Sequence, residues 1–299
     1  TNAIRNFMIE LNTLSHQLDR SRKTSIRRCD FCKDIVDVYS PSIWAGWYSG
    51  RYGEYRKATE KAIKDTPHFF HAEYGGDSHA GRHAEDPEKF IQDVATGEGT
   101  AEVGKAYKAT GGKARASKDG DWSESYMVNL FDWHLKEQED MPNLTGAAQW
   151  IFKDFATPLR PENPVSRVNQ KGVVARDGTP KESFYVFQSY WAEQPMIHIY
   201  GHTWPIRWGK PGEEKQVKVF SNCGEVELFV NGVSAGVKQR VVTNYPAAGL
   251  HWNVKFNEGP NNLRAVGRTP SGDITDEISV AYQTADWSKP AKLVLKEIA

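Results

Sequence analysis

The pattern of hydrophobic residues changes once along this 299-residue chain, and the change limits the folds that are open to it. Up to about residue 190, segments with helical spacing alternate with short apolar runs that are typical of buried strands. Beyond about residue 210, short runs alternate apolar and polar residues. The first pattern favours helices packed on a parallel sheet, and the second favours a small β-sandwich. The chain is therefore predicted to be α/β followed by all-β.

The first part reads as helices alternating with strands. A helix with one buried apolar stripe is predicted over 4–18, a second helix over 50–65 and a third near 87–97. Strands are predicted at 34–40, 68–75, 125–133 and, less clearly, 146–155. In a parallel arrangement the loops that follow the strands meet at one edge of the sheet, and functional residues are expected there.

The second part contains five predicted strands and one strong turn signal. The strands are 216–222, 225–232, 250–256, 261–268 and 277–284. Asn231-Gly232 predicts a tight hairpin, because both residues accept a positive φ. We expect one domain over 1–190 and a second over 191–285. Residues 286–299 are expected to be a linker or the start of a further domain.

Charge and hydropathy exclude several classes of partner. The 38 basic residues balance the 38 acidic ones, which argues against a nucleic acid or a membrane surface as partner. No apolar run reaches 18 residues, so no membrane span is predicted. The opening residues TNAIRNFMIELN lack a basic start followed by an apolar run, so no signal peptide is predicted in them.

The three cysteines do not predict a metal or redox site. Cys29 and Cys32 form a single C-x-x-C, and no second pair or His pair follows at zinc-finger spacing. An odd, low count also argues against a disulfide framework. The expected role is structural, on a strand and its adjoining turn, and neither a metal nor a cofactor is predicted.

One carboxylate stands out in the segment HAEYGGDSHAGRH. Glu73 lies between a predicted buried strand and a glycine- and histidine-containing loop. It is either a solvated charge at the end of a strand or a functional group at the active edge of the sheet. Ten tryptophans leave a similar choice, since flat indoles either fill cores or bind the C–H faces of sugar rings.

Several segments resemble glycoside hydrolase family 2, which includes β-galactosidases, β-glucuronidases and β-mannosidases. The segment EYGGDSHAGRH resembles the nucleophile region of that family. Further matches follow the order of the family: MIELNTLSHQLDRSRKTS, DIVDVYSPSIWAGWYSG, GAAQWIFKDF, VNQKGVVARDGTPK and VKVFSNCGEVELFVNGVSAG. The resemblance covers nearly the whole chain. It implies part of a (β/α)8 TIM barrel followed by an immunoglobulin-like β-sandwich.

By this resemblance, Glu73 is the nucleophile of a retaining glycosidase. Such enzymes use two carboxylates about 5–5.5 Å apart, one as nucleophile and one as acid/base. The acid/base Glu of the family follows an Asn upstream of the helix at 4–18, and no Asn-Glu pair precedes Glu73 here. Glu10 lies inside a helical pattern and is a poor candidate. A missing N-terminal part of the same enzyme is therefore an expected partner, and the chain alone is expected to be a poor catalyst or inactive.

The resemblance implies further substrate-binding residues. Trp150 is either a sugar platform or a core residue. Tyr39 and Tyr48 either hydrogen-bond the nucleophile or pack as ordinary aromatics. Asp77 and His79 either contact sugar hydroxyls or lie in a surface loop.

Asn169 and Lys171 bear on which sugar is bound. In β-glucuronidases an Asn-x-Lys pair binds the substrate carboxylate, and NQKG keeps both residues, but β-galactosidase-like relatives can show a similar motif. The favoured prediction is a β-galactosidase that hydrolyses terminal β-galactosides of oligosaccharides. The alternatives are a β-glucuronidase and a non-catalytic carbohydrate-binding fragment. A bacterial periplasmic or extracellular location and a homo-oligomer are compatible with the resemblance.

Overall fold

The structure is a computed structural model that describes residues 2–66, 68–89, 115–161 and 163–285. Most of the helix predicted near 87–97, and the whole segment 286–299, lie outside the described residues. In the described part of the chain, no helix combines the length and the apolar character needed to cross a bilayer.

The first part of the chain is built from helices and short strands. The helices are α1 (Asn2–Leu18), α2 (Tyr55–Asp65), α3 (Ala116–Asp119), α4 (Glu124–Glu139) and α5 (Glu182–Trp191). The strands are β1 (Ser25–Arg27), β2 (Val38–Ser40), β3 (His71–Tyr74), β4 (Ala147–Gln149), β5 (Phe155–Ala156) and β6 (Val168–Asn169). Strand β1 pairs in parallel with β2, and β3 pairs in parallel with β4, whereas β5 and β6 pair antiparallel. A parallel bridge from Tyr39 to Phe69 joins the two pairs. The predicted parallel α/β arrangement is therefore present.

Helix α1 forms where the sequence predicts it, but its apolar stripe is not buried. No residue of α1 is buried, and Phe7, Leu14 and Leu18 are 57%, 48% and 78% exposed. The half-buried side includes Arg5, which forms an ion pair with Asp34 at 2.7 Å. The expectation of a buried stripe is wrong for the described residues, because none of them packs over that face.

Residues 125–133 belong to helix α4 and not to the strand that the sequence predicts. The Ser123 side chain caps the helix by accepting a hydrogen bond from the Tyr126 N–H at 3.1 Å. Twelve of the 16 residues of α4 are buried. A helix that is buried on most sides has no polar face, so its apolar run resembles that of a buried strand.

The second part of the chain consists of two sheets around one apolar core. Its strands are β7 (Ile197–Ile199), β8 (Ile206–Trp208), β9 (Glu214–Ser221), β10 (Glu225–Val230), β11 (Val233–Gln239), β12 (His251–Lys255), β13 (Gly259–Arg268) and β14 (Ile274–Gln283). One sheet has the order β11-β10-β13-β14-β8, and the other has the order β12-β9-β7. Val219 of one sheet and Val226 and Leu263 of the other contribute to the shared core. All five predicted strands are present, and the β-sandwich is confirmed to that extent.

The hairpin predicted at Asn231-Gly232 is present. Asn231 and Gly232 have φ values of 51° and 81°, and Val230 pairs with Val233 across the turn. The second strand of the hairpin, β11, is absent from the sequence prediction because its residues are almost all exposed and show no regular alternation.

A buried carboxyl group ties α4 to its neighbours. Asp132 is 1% exposed, and its carboxylate accepts hydrogen bonds from the Tyr190 hydroxyl at 2.9 Å and from the Ala247 N–H. Burial raises the pKa of Asp132 to about 7 from 3.8, although the Tyr190 hydrogen bond opposes the rise. The folded protein therefore holds one more proton than the unfolded chain between these two values.

We expect Asp132→Asn to make stability less dependent on pH. The contribution from the protonated Asp132 is fully present below pH 3.8 and is lost as the pH rises through about 7. An Asn keeps the shape of the side chain without ionising. From pH 5 to pH 8, the free energy of unfolding of the variant should therefore rise relative to that of wild type by on the order of 2–3 kcal/mol. Urea unfolding at both pH values measures this, with the exposed Asp65→Asn as control. The expectation would be contradicted if the free energies of unfolding of Asp132→Asn and wild type differed by the same amount at pH 5 and at pH 8.

Candidate active site

A pocket of about 730 Å³ opens beside the carboxyl ends of the parallel strands. Five of the eight predicted site residues line it: Tyr48, Glu73, Trp150, Asn169 and Lys171. They come from different segments of the first part of the chain, and the fold brings them together. The lining also includes eight residues that the sequence analysis did not single out: Arg27, Arg28, Trp44, Phe155, Thr157, Leu159, Arg160 and Pro161.

Glu73 is the third residue of β3, and a cation from the neighbouring part of the sheet holds its carboxylate. The Arg27 Nη2 atom lies 3.0 Å from Glu73 Oε1, and it also donates a hydrogen bond to the Ser42 hydroxyl at 2.8 Å. The Glu73 side chain is 16% exposed, so a ligand in the pocket can reach it. An opposite charge at this distance favours the ionised form of a carboxylate, which is the form that a nucleophile needs.

Asp77 and Lys171 form a buried ion pair behind the pocket wall. Lys171 Nζ lies 2.5 Å from Asp77 Oδ2, and the two side chains are 2% and 0% exposed. Asp77 Oδ1 also accepts the Gln170 N–H at 3.2 Å. The interpretation of Asp77 as part of a surface loop is therefore wrong. Asp77 is not a lining residue of the pocket, and it holds the Lys171 ammonium in place.

The loop that carries Asn169 and Lys171 rests on a second buried ion pair. The Lys181 ammonium donates to Asp154 Oδ1 at 3.0 Å and to the carbonyls of Ser78 and Gln170 at 2.8 and 3.0 Å. Asp154 Oδ1 also accepts the Gly172 N–H at 2.8 Å. Burial raises the pKa of Asp154, and the adjacent ammonium opposes the rise. The sequence analysis did not propose these two residues for the site, although they occur in the matched segments IFKDF and DGTPK.

Aromatic side chains form part of the pocket wall. The Tyr48 hydroxyl accepts a hydrogen bond from Arg160 Nη2 at 2.8 Å. Trp150 follows β4, and its backbone N–H donates a hydrogen bond to the Tyr74 carbonyl at 2.9 Å. Its indole ring meets the Phe155 ring edge-on. Trp150 lines the pocket and is only partly buried, an arrangement that leaves the ring accessible to a sugar.

Tyr39 and His79 are placed differently from the other predicted residues. Tyr39 is 3% exposed, donates its hydroxyl hydrogen bond to Asp30 and does not line the pocket. The structure thus gives Tyr39 a packing role, and its predicted contact with the nucleophile is wrong. His79 Nδ1 accepts a hydrogen bond from Gln170 Nε2 at 2.9 Å, and burial lowers the pKa of His79. His79 therefore supports the loop that carries Asn169.

A second carboxylate for a retaining mechanism is not found beside Glu73. Among the described residues that line the pocket, Glu73 is the one carboxylate. Glu10, the poor candidate of the sequence analysis, is exposed on α1. The described residues thus provide a nucleophile candidate without a partner for acid/base catalysis.

Glu182, the residue after Lys181, connects α5 to the second part of the chain. Glu182 Oε1 accepts the Gly201 N–H at 3.0 Å, and Glu182 Oε2 lies 2.9 Å from His198 Nε2. Glu182 is 3% exposed. Consecutive residues at the start of α5 therefore contact the pocket loop and the β7 region.

One group of side chains in the described residues has a composition suited to a metal ion. Ligand atoms of His198, His202 and Asp276 lie within 4.8 Å of one another. The two imidazole rings stack with an interplanar angle of 15° and a centroid distance of 4.6 Å. Nitrogen lone pairs lie in the ring planes, so those of two stacked rings do not converge on one ion. Asp276 already pairs with His202 Nε2 at 2.8 Å, and this geometry describes a hydrogen-bonded ion pair better than a metal site.

Comparisons with known proteins identify relatives of nearly the whole chain. A putative β-glucuronidase of Formosa agariphila is 49% identical in a match 299 residues long, which covers 99% of this chain and 35% of the relative. The crystal structure of Parabacteroides merdae β-glucuronidase superposes with a TM-score of 0.93 at 58% identity, covering 99% of this chain and 38% of that one. The β-galactosidase BoGH2A of Bacteroides ovatus is 33% identical over 168 residues, which are 56% of this chain and 18% of the relative.

A family model described as a domain of unknown function, DUF4982, matches residues 212–275. The chain spans little more than a third of the first two relatives, at 35% and 38% of their lengths. The resemblance predicted from the sequence motifs is confirmed, and the chain is similar to the C-terminal part of the β-glucuronidases and β-galactosidases of glycoside hydrolase family 2.

Proposed function

We propose that the protein containing this chain is a retaining β-glycosidase that acts on β-glucuronides, with Glu73 as nucleophile. The observation that carries the proposal is that Asn169 and Lys171 line the same pocket as Glu73. An ammonium and an amide suit the carboxylate of a uronic acid.

The proposed substrate, a glucuronide, differs from the galactoside that the sequence analysis favoured. The relatives that are 49% and 58% identical are named β-glucuronidases, whereas the relative named β-galactosidase is 33% identical over a shorter stretch. The motif alone could not separate the two sugars, and the names of the more similar relatives favour the glucuronide.

In the proposed mechanism, the Glu73 carboxylate attacks the anomeric carbon and forms a covalent glycosyl-enzyme. Arg27 Nη2, 3.0 Å from Glu73 Oε1, orients that carboxylate. Asn169 and Lys171 bind the uronate carboxylate, and Trp150 offers a face for the sugar ring. A second carboxylic acid protonates the leaving oxygen and then activates the water that releases the sugar.

We infer that an N-terminal part of the same enzyme supplies that second carboxylate. The coverage of the relatives supports this inference, as does the single carboxylate among the described lining residues. In this proposal, residues 1–190 are the C-terminal portion of a TIM-barrel domain and residues 191–285 are an immunoglobulin-like domain. The parallel strands β1 to β4 and the two-sheet core support the division.

The same single carboxylate supports a second candidate, in which the chain binds sugars without hydrolysing them. Turnover of 4-nitrophenyl β-glucuronide and 4-nitrophenyl β-galactoside by this chain, with and without the N-terminal part, separates the possibilities. Glucuronide hydrolysis only with both parts is expected. Binding of glucuronides without turnover in both preparations would favour the second candidate, and faster galactoside hydrolysis would overturn the choice of sugar.

We expect Asn169→Ala to reduce glucuronide turnover much more than galactoside turnover. Loss of a hydrogen bond to a charged ligand group costs about 1.5–3 kcal/mol, which is roughly 10- to 150-fold in the ratio of the two kcat/KM values. Lys171→Met is expected to act in the same direction. Because it also leaves buried Asp77 without its 2.5 Å partner, it should be measured in the double variant Lys171→Met/Asp77→Asn. Equal losses on both sugars would remove the proposed role of Asn169 and Lys171.

A further inference from the structure

The pocket presents more positive charge than a single uronate carboxylate requires. The described lining residues include four cations, namely Arg27, Arg28, Arg160 and Lys171, and one carboxylate, Glu73. Counting the buried Asp77 behind the wall, the charges sum to +2. In a recess with low-dielectric walls, such an excess attracts anionic ligands.

Three of these cations are already held by groups of the protein. Arg27 pairs with Glu73 at 3.0 Å, and Lys171 pairs with Asp77 at 2.5 Å. Arg160 donates to the Tyr48 hydroxyl at 2.8 Å and lies 4.0 Å from Asp77. Their positions are therefore fixed from within the protein.

Arg28 differs from the other three. Among the described residues, its side chain has no hydrogen-bond or ion-pair partner, yet it lines the pocket. Its backbone is fixed by a hydrogen bond from the Arg28 N–H to the Ser40 carbonyl at 2.9 Å. Its φ of 56° lies in the left-handed region, which is unfavourable for a residue with a Cβ atom. The fold thus fixes the backbone of an exposed arginine that lines the pocket without a partner among the described residues, directly after the residue that pairs with Glu73.

The size of the pocket leaves room beyond one sugar ring. Its 730 Å³ falls in the range of roughly 300–1,000 Å³ that is usual for drug-sized ligands, which are larger than a monosaccharide. A glucuronate ring carries one carboxylate, and Asn169 and Lys171 are assigned to it in the proposed function. An anion bound by Arg28 therefore belongs to a different group of the substrate.

We propose that Arg28 is a specificity-determining residue that binds an anionic group, a sulfate ester or a carboxylate, on the sugar beyond the glucuronate. The preferred substrate is then a polyanionic uronide and not a glucuronide of a neutral alcohol. A guanidinium suits both anions because it can donate two parallel hydrogen bonds. This inference rests on the proposed β-glucuronidase function.

The test compares three disaccharides in the enzyme that contains this chain and the N-terminal part. Each carries a terminal β-glucuronate, and the three differ only in the second sugar. That sugar is neutral in the first disaccharide, carries a sulfate ester in the second and is the corresponding uronic acid in the third. We expect kcat/KM for at least one anionic disaccharide to exceed that of the neutral one by about tenfold, which corresponds to about 1.4 kcal/mol. Added salt should reduce this preference because it screens the charges.

Variants of Arg28 identify the residue responsible. Arg28→Gln should remove most of the preference, and Arg28→Lys should retain part of it because the charge remains. The matched control is Arg20→Gln, which removes one exposed arginine outside the pocket and should leave the ratios unchanged. Thermal unfolding of each variant checks that the fold is kept.

The outcomes separate the two proposals. Preference for the sulfated or for the uronic acid disaccharide, lost in Arg28→Gln, supports the inference and identifies the anion. Equal kcat/KM for neutral and anionic disaccharides, or equal losses on all three in Arg28→Gln, would overturn the role of Arg28 and leave the glucuronidase proposal intact. Failure to hydrolyse any glucuronide would overturn both.

Discussion

Replacing Glu73 with Gln is expected to lower kcat/KM for a β-glucuronide by at least about 10⁴-fold, because removal of a catalytic nucleophile eliminates covalent catalysis. The amide keeps the shape of the side chain but does not attack the anomeric carbon. The lost ion pair with Arg27 is partly exposed, at 24% and 16%, so the free energy of unfolding should change by no more than about 1 kcal/mol.

Covalent trapping of the glycosyl-enzyme tests directly whether Glu73 is the nucleophile. An activated 2-fluoro-glucuronide carries a good leaving group, so its attack by the nucleophile depends less on the acid/base group. Wild-type enzyme should gain one glucuronyl adduct on the peptide that contains Glu73, and the variant should gain none. Glu10→Gln, on exposed α1, is the control and should keep both turnover and labelling. Near-normal turnover by Glu73→Gln, or an adduct on another residue, would remove Glu73 from the mechanism.

Lys181→Met is expected to cost about 3–5 kcal/mol of stability, which is the usual range when one partner of a buried ion pair is removed. Lys181 is 0% and Asp154 is 7% exposed as side chains, so water cannot replace the lost contacts fully. The variant also removes the hydrogen bonds to the carbonyls of Ser78 and Gln170. Met has a similar length, so the loss reports the ammonium more than a cavity.

A double variant tests that explanation. Lys181→Met/Asp154→Asn removes the uncompensated carboxylate as well, and it should recover part of the stability lost in Lys181→Met. Lys57→Met, an exposed substitution on α2, provides the control for the change of residue type. Urea unfolding measures all three. A loss below about 1 kcal/mol in Lys181→Met would mean that the pair behaves like an exposed one.

The parts of the fold that follow from local pattern could be predicted from the sequence. Asn231-Gly232 required positive φ at both positions, and the hairpin is there. Helix α4 could not be recognised from its apolar residues, because tertiary burial on most sides removes the polar face that marks a helix. The apolar stripe of α1 was read as buried, but periodicity indicates only that a face is apolar and does not say what covers it.

The residues of the candidate site could be predicted from the sequence only in part. The matched motifs led to Glu73, Trp150 and Lys171, which line one pocket. Arg27 and Arg160 were not found, because their contacts span 46 and 112 residues of sequence and no local pattern reports such a distance. The adjacent pair Arg27-Arg28 at the end of β1 was the available signal, and its meaning depends on where that strand lies in the sheet.

The start of α5 limits how this protein could be re-engineered as separate modules. Lys181 supports the pocket loop, while Glu182, the next residue, is held by Gly201 and His198. Trimming the chain at about residue 190 to obtain a smaller biocatalyst would strip a buried carboxylate of these partners one residue away from the pocket support. Grafting a foreign domain after α5 would raise the same difficulty unless the graft reproduced both contacts. A chimera should therefore exchange α5 together with the segment through Gly201.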